Sequence, residues 1–171
     1  ALWYGALFFA TSACAQGGPM AWVPLVSSPP SARQGHAMSY DAMRAVVVLS
    51  GGGQPFENQL AAIRETWELS ESRWIKRSIS GPSERYYHST SYDAVRNATV
   101  LFGGVSETGI VLRDTWEWSG TTWIVRATAG PSARYRHALA HDAARGLTVL
   151  FGGRDLAARK AETWVWNGAA W

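Results

Sequence analysis

The sequence predicts an all-β chain made of a repeated unit of four short antiparallel strands, and three observations predict it. A motif of about fifty residues recurs three times, candidate strands alternate with a period of two, and no stretch carries a helical period. The motif opens as Arg33-x-x-His36-x-x-x-Tyr40-Asp41-x-x-Arg44. It returns with Arg85, His88, Tyr92, Asp93 and Arg96, and again with Arg134, His137, His141, Asp142 and Arg145. Seven residues after each final Arg stands a glycine pair: Gly51-Gly52, Gly103-Gly104 and Gly152-Gly153. Thr66-Trp67, Thr115-Trp116 and Thr163-Trp164 follow, each with a second Trp seven positions on: Trp74, Trp123 and Trp171. So many positions in one frame through three copies exclude coincidence.

The second copy justifies each strand in order. His88, Thr90 and Tyr92 alternate with Ser89 and Ser91 to make a first strand. Thr99 to Phe102 is a β-branched and aromatic run stopped by Gly103-Gly104, the second strand. Trp116 and Trp118 alternate with Glu117 in the third, and a Ser119-Gly120 turn leads to a fourth from Trp123 to Val125. One face of the first strand holds only small residues: Ala37 and Ser39, Ser89 and Ser91, Ala138 and Ala140. That face suits a crowded central axis, and the Trp face suits packing of one unit on the next. The expected architecture is a β-propeller of four-stranded blades. Blade 1 is expected over 33–84, blade 2 over 85–133, and blade 3 over 134–171 with its last strand cut short. Trp22 precedes Arg33 by eleven residues, as Trp74 precedes Arg85, so 16–32 is read as the last strand of a partial blade and a linker.

Composition narrows the function. The chain has 171 residues, 47% of them apolar, and 16 basic against 13 acidic side chains give a net charge of +3. Neither a disordered segment nor a surface for nucleic acid or anionic membrane fits those values. The single cysteine, Cys14, excludes an intrachain disulfide and any multi-cysteine metal site. Residues 1–15 read as the end of a truncated signal peptide, with an apolar run from Leu2 to Ala10 and Ala13-Cys14-Ala15 at the spacing a signal peptidase reads. The run is too short to span a membrane. An extracytoplasmic location follows, secreted, periplasmic or at the cell surface, with a lipid anchor on Cys14 as the lesser alternative.

Val100-Leu101-Phe102-Gly103-Gly104 with Trp116 and Trp123 resembles the kelch motif, an aliphatic strand ending in Gly-Gly followed by two spaced aromatics. Trp116 stands where that family most often has Tyr. The Asp-Thr-Trp-Glu-Trp and Arg-x-x-His-x-x-x-Tyr-Asp elements look like the subtype common in exported bacterial kelch-repeat proteins, and the likeness runs from Trp22 to Trp171. It implies a ring of six or seven blades, so the chain is expected to be a fragment whose partners include the remaining blades of a parent protein. Pairing of two three-bladed chains into one ring is the less favoured expectation.

Candidate chemistry is weighed against this repetition. The loops between strands two and three, and between strand four and the next strand one, are expected on one face. That face would carry Gly81 to Arg85, Gly130 to Arg134 and the unequal segments Gly53 to Arg64, Val105 to Arg113 and Arg154 to Ala161. His36, His88 and His137, with Asp41, Asp93 and Asp142, recur once per unit, whereas a catalytic site needs one asymmetric set. They are therefore read as structural, with each Asp capping a turn and pairing with Arg44, Arg96 or Arg145. No catalytic residue, cofactor or metal is expected. Some kelch propellers are copper oxidases, but their Cys–Tyr cross-link has no counterpart here, since Cys14 lies in the leader. Arg33, Arg85 and Arg134 are the candidate ligand contacts, a set of cations near the mouth of the central channel. Every Trp after the leader falls in the repeat frame, and the small positions of the first strand show no break in symmetry. The expected function is a non-enzymatic scaffold binding a protein or glycan through its variable loops. The alternative is a carbohydrate-active propeller enzyme, like a sugar oxidase or sialic-acid isomerase, with its catalytic residues in missing blades.

Overall fold

The structure is a computed structural model that describes residues 30–56, 59–77 and 80–171. The leader, Cys14 and the Trp22 strand lie outside the described residues. Thirteen strands and no helix occur among those described, and each ladder is antiparallel.

Sheet I contains β1 (Ala37–Asp41), β2 (Val46–Ser50), β5 (Thr66–Ser70) and β6 (Arg73–Arg77) in that order, with a separate hairpin of β3 (Gly53–Phe56) and β4 (Gln59–Ala62) inserted after β2. Sheet II is the meander β7 (Ser89–Asp93), β8 (Ala98–Val105), β9 (Val111–Trp118) and β10 (Trp123–Ala127). Sheet III has β11 (Ala138–Asp142), β12 (Leu147–Phe151) and β13 (Thr163–Trp166). None of these sheets closes on itself.

The turn between the first two strands of each sheet has one design. Asp41 Oδ1 accepts the Arg44 backbone N–H at 3.0 Å, Asp93 Oδ1 that of Arg96 at 2.9 Å, and Asp142 Oδ1 that of Arg145 at 3.1 Å. The same carboxylates form ion pairs with the three Arg side chains. A short acceptor at the head of a turn satisfies backbone donors that the strands leave open.

The sheets interlock in a repeated pattern. The Trp118 indole N–H donates to Glu68 Oε1 of sheet I at 2.9 Å, and Trp166 donates likewise to Glu117 of sheet II at 3.1 Å. Trp123 donates to Thr66 Oγ1 at 2.9 Å and Trp171 to Thr115 Oγ1 at 2.8 Å. Buried indole N–H groups need acceptors, so each bond fixes sheet spacing as well as filling volume. Val46, Val48, Leu101, Trp118 and Trp123 form the apolar cluster between sheets I and II. Burying side chains of this kind contributes about 1.5–3 kcal/mol each. Between sheets II and III, Phe102 meets Trp171 and His137 edge-on, with ring centroids 5.1 and 5.4 Å apart. The first strands β1, β7 and β11 run as neighbours, consistent with their small side chains.

Candidate functional site

Arg33, Arg85 and Arg134 are held inside the fold. Arg85 has all five guanidinium N–H groups bonded: to the Ser83 carbonyl and hydroxyl, to the Gly103 carbonyl, and to both oxygens of Asp114 at 2.7 and 2.8 Å. Arg33 and Arg134 repeat the arrangement with Ser31, Gly51 and Glu65, and with Ser132, Gly152 and Glu162. The following Trp donates to the same acid in each case: Trp67 to Glu65, Trp116 to Asp114 and Trp164 to Glu162. Set against the expectation of a shared anion site, these guanidinium groups are side-on struts that tie the segment before each first strand to the glycine pair and the third strand. The acid one residue before each Thr-Trp pair completes the strut, and its recurrence in the sequence is the signal that could have revealed it.

Electrostatics follow from these partners. Burial alone raises the Glu65 carboxyl, but hydrogen bonds from Lys76, Trp67 and Arg33 overcome it and hold the group at about 2. Asp114 is likewise lowered, because the Arg85 bonds outweigh burial. His88 is pushed down to about 3 by burial, with Arg85 adding to the shift, and its Nε2 lies 2.9 Å from Ser50 Oγ. His137 falls to about 4 from burial and the neighbouring Arg134. His36 shifts in the same direction, by burial and Arg33. Three neutral imidazoles therefore stand at the start of the first strands, one per sheet.

Symmetry breaks two positions before and one position before those histidines. The pairs there are Gln34-Gly35, Tyr86-Tyr87 and Tyr135-Arg136. Gly35, Tyr87 and Arg136 all have a left-handed backbone, with φ of 65°, 57° and 55°. Only Gly35 occupies that region without steric cost; a non-glycine residue there costs on the order of 1 kcal/mol or more. The three are stacked as a ladder. The Tyr87 N–H donates to the Gly35 carbonyl at 2.7 Å and the Arg136 N–H to the Tyr87 carbonyl at 2.9 Å. A Cβ on Gly35 would meet the Tyr87 ring at 2.8 Å, and the Arg136 guanidinium lies 4.3 Å from the centroid of that ring. Tyr86 packs edge-on against Tyr87 at 5.1 Å, and Arg154 approaches the Tyr135 ring at 5.8 Å.

This shelf adjoins the unequal loops. Gln34, Tyr86 and Tyr135 pair through their backbones with Gly53, Val105 and Arg154, the residues that follow the three glycine pairs. Beyond them the loops diverge: the β3–β4 hairpin in sheet I, a turn closed by Ser106 and Ile110 in sheet II, and an Asp155 turn bonded to Ala157 and Ala158 in sheet III. Arg136 is exposed, and among the described residues neither Arg136 nor Arg154 has a carboxylate partner. Sequence reasoning missed this site because it compared the small positions inside the first strand. The x-x of Arg-x-x-His carries the divergence.

No protein-family model matches the chain. No curated protein matches it either. The shelf offers tyrosine faces and edges together with two cations, Arg136 and Arg154, that have no carboxylate partner among the described residues. Among the described residues, no three His, Cys, Asp or Glu side chains gather as a metal ion requires.

Proposed function

We propose that the chain is part of an exported, non-enzymatic kelch-type β-propeller that binds a carboxylate-bearing glycan on the Tyr86, Tyr87, Tyr135, Arg136 and Arg154 shelf. The propeller reading is supported by the identical interlock of sheets I with II and II with III, and by the neighbouring first strands. Export is supported by the leader sequence. The observation that carries the binding reading is the replacement of glycine by Tyr87 and Arg136 at left-handed positions. The same left-handed backbone occurs at the exposed turn residues Ala45, Glu71 and Asn97, but at Tyr87 and Arg136 it stacks large side chains on one another beside the unequal loops, as a binding surface requires. Tyrosine rings pack against the C–H faces of sugars, and an unpaired guanidinium forms paired hydrogen bonds with a carboxylate.

Calorimetric titration with oligogalacturonate tests this reading, with a neutral dextran oligomer as control. The acidic oligomer binds and the neutral one does not, and Arg136→Ala weakens binding about tenfold. Equal binding of both oligomers, or no loss in Arg136→Ala, overturns it.

A further inference from the structure

Charge is distributed unevenly along the shelf. Sheet III supplies Arg136 and Arg154, whose guanidinium carbons lie 6.0 and 5.8 Å from the centroid of the Tyr135 ring, so one ring is shared by two cations. A further backbone bridge pairs Arg154 with Arg159 and brings a third arginine beside them. Among the described residues none of the three has a carboxylate partner, and the one acid of that loop, Asp155, is held by Lys160 at 2.7 Å. Arg113, the exposed cation of sheet II at this level, shares the strand face of Thr115, which accepts from Trp171 beyond it, so it too is turned toward sheet III.

Sheet II supplies the opposite sign. Tyr86 and Val105 exchange two backbone hydrogen bonds, at 3.0 and 2.9 Å, between antiparallel segments. Two residues out from that bridge stand Glu84 on one segment and Glu107 on the other, both at the same end of the bridge. Neither has a cationic partner among the described residues, and Glu107 is exposed. The same offsets give Ala32 and Pro55 in sheet I, and Ala133 and Leu156 in sheet III, so the two acids are peculiar to the middle sheet. Gln34 and Gly35, at the sheet I end, carry no charge.

Tyr87 fixes the positive end. Its ring lies over Gly35, where a Cβ would come within 2.8 Å, and 4.3 Å from the Arg136 guanidinium carbon; the Tyr135 ring follows at 6.3 Å, tilted by 31°. A guanidinium stacked on a ring keeps its edge N–H groups free for a paired bond to a carboxylate. Stacking also places that cation before any ligand arrives, which lowers the entropy cost of binding.

We infer that the glycan bound on the shelf carries a single carboxylate on its terminal sugar, held by Arg136 at the sheet III end, and that the sugars passing over Tyr86 toward Gln34 carry none. This deepens the binding reading of the shelf and rests on it. One carboxylate at that end meets unpaired cations. A second, on the next sugars, would lie along the flank of Glu84 and Glu107, where like charges repel. A chain of uronic acids thus gains at one end and loses along the rest, whereas a neutral chain with one acidic cap fits the charge pattern throughout.

Calorimetric titration at low ionic strength, where exposed charges are least screened, tests the inference. The probes are galacturonate trimers that differ only in charge: the free acid, the trimer methyl-esterified at all but one terminal carboxyl, prepared with the free group at either end, and the full ester. The better of the two single-acid trimers is expected to bind about tenfold tighter than the free acid. Raised salt shrinks that difference, Glu84→Gln combined with Glu107→Gln removes it, and Arg136→Ala weakens both ligands. Circular dichroism checks the fold of the double variant, and the comparison of trimers on the unaltered chain decides without it. A free acid that binds as tightly as the better single-acid trimer, or a difference that survives the double exchange, overturns the inference; a free acid still weakened by Arg136→Ala then leaves the carboxylate-binding reading standing. Binding of the full ester equal to that of the acids, or no binding of any trimer, removes both.

Discussion

Arg85 is buried with all of its guanidinium N–H groups bonded, and two of those bonds go to Asp114. Removing one partner of a buried ion pair leaves the other uncompensated in a poor solvent, which costs about 3–5 kcal/mol. Asp114→Asn is therefore expected to lower unfolding free energy by about 3 kcal/mol in urea titrations, while an exposed substitution such as Arg159→Gln changes it little. Ala45 illustrates the opposite sign. It has a φ of 53° on an exposed turn where the other sheets place Asn97 and Gly146. Ala45→Gly should raise stability by about 0.5–1 kcal/mol, read as a higher thermal midpoint. Tyr87→Gly separates folding from function: relief of the left-handed backbone offsets the lost ring contacts, so the thermal midpoint changes little while oligogalacturonate binding falls. At this scale the sequence disclosed the Asp–Arg turns, because the partners are three residues apart. It did not disclose the Arg85–Asp114 strut, whose partners are 29 residues apart and meet only when the first and third strands are folded.

The seams between sheets carry the pH response. His88 and His137 bind a proton only near pH 3 and 4 when folded, against an ordinary value of 6.5. Below 6.5 the unfolded chain takes up protons that the folded chain refuses, so stability is full above that value and falls as the pH drops toward 4. The slope approaches about 1.4 kcal/mol per pH unit for each imidazole. The carboxylates add to the loss at lower pH. Glu65 has its folded value depressed to about 2, so its contribution is present above 4.5 and disappears as the pH falls through 2. Urea midpoints at pH 8, 6 and 5 should decline in that order, and His88→Gln should flatten the decline. An unchanged midpoint from pH 8 to 5 would contradict neutral buried imidazoles. Strand positions were legible from alternation and the glycine pairs, and the four-strand order of sheets I and II follows them. The β3–β4 hairpin was not legible, since Gly53 to Arg64 has no counterpart of like length in the other copies to reveal its pairing.

Taken whole, the molecule is a row of sheets, each bonded to the next by the same indole and threonine contacts. Among the described residues the substantial contacts between sheets join I to II and II to III, so cooperativity runs from neighbour to neighbour. The Gly35–Tyr87–Arg136 shelf spans all three members of that row, so under the proposed function a ligand bound there would couple all three sheets. Repetition made the row readable from sequence, whereas the shelf was hidden in the residues that repetition does not fix.

The position of β8 has a kinetic consequence. All eight of its residues are buried, and it is flanked on both faces by other sheets, whereas β1, β6, β11 and β13 each have an open side. Amide exchange of the 171-residue chain by itself should then be slowest at Val100, Leu101 and Phe102 and faster in sheets I and III. In that chain, openings of sheets I and III leave β8 closed until the whole chain unfolds.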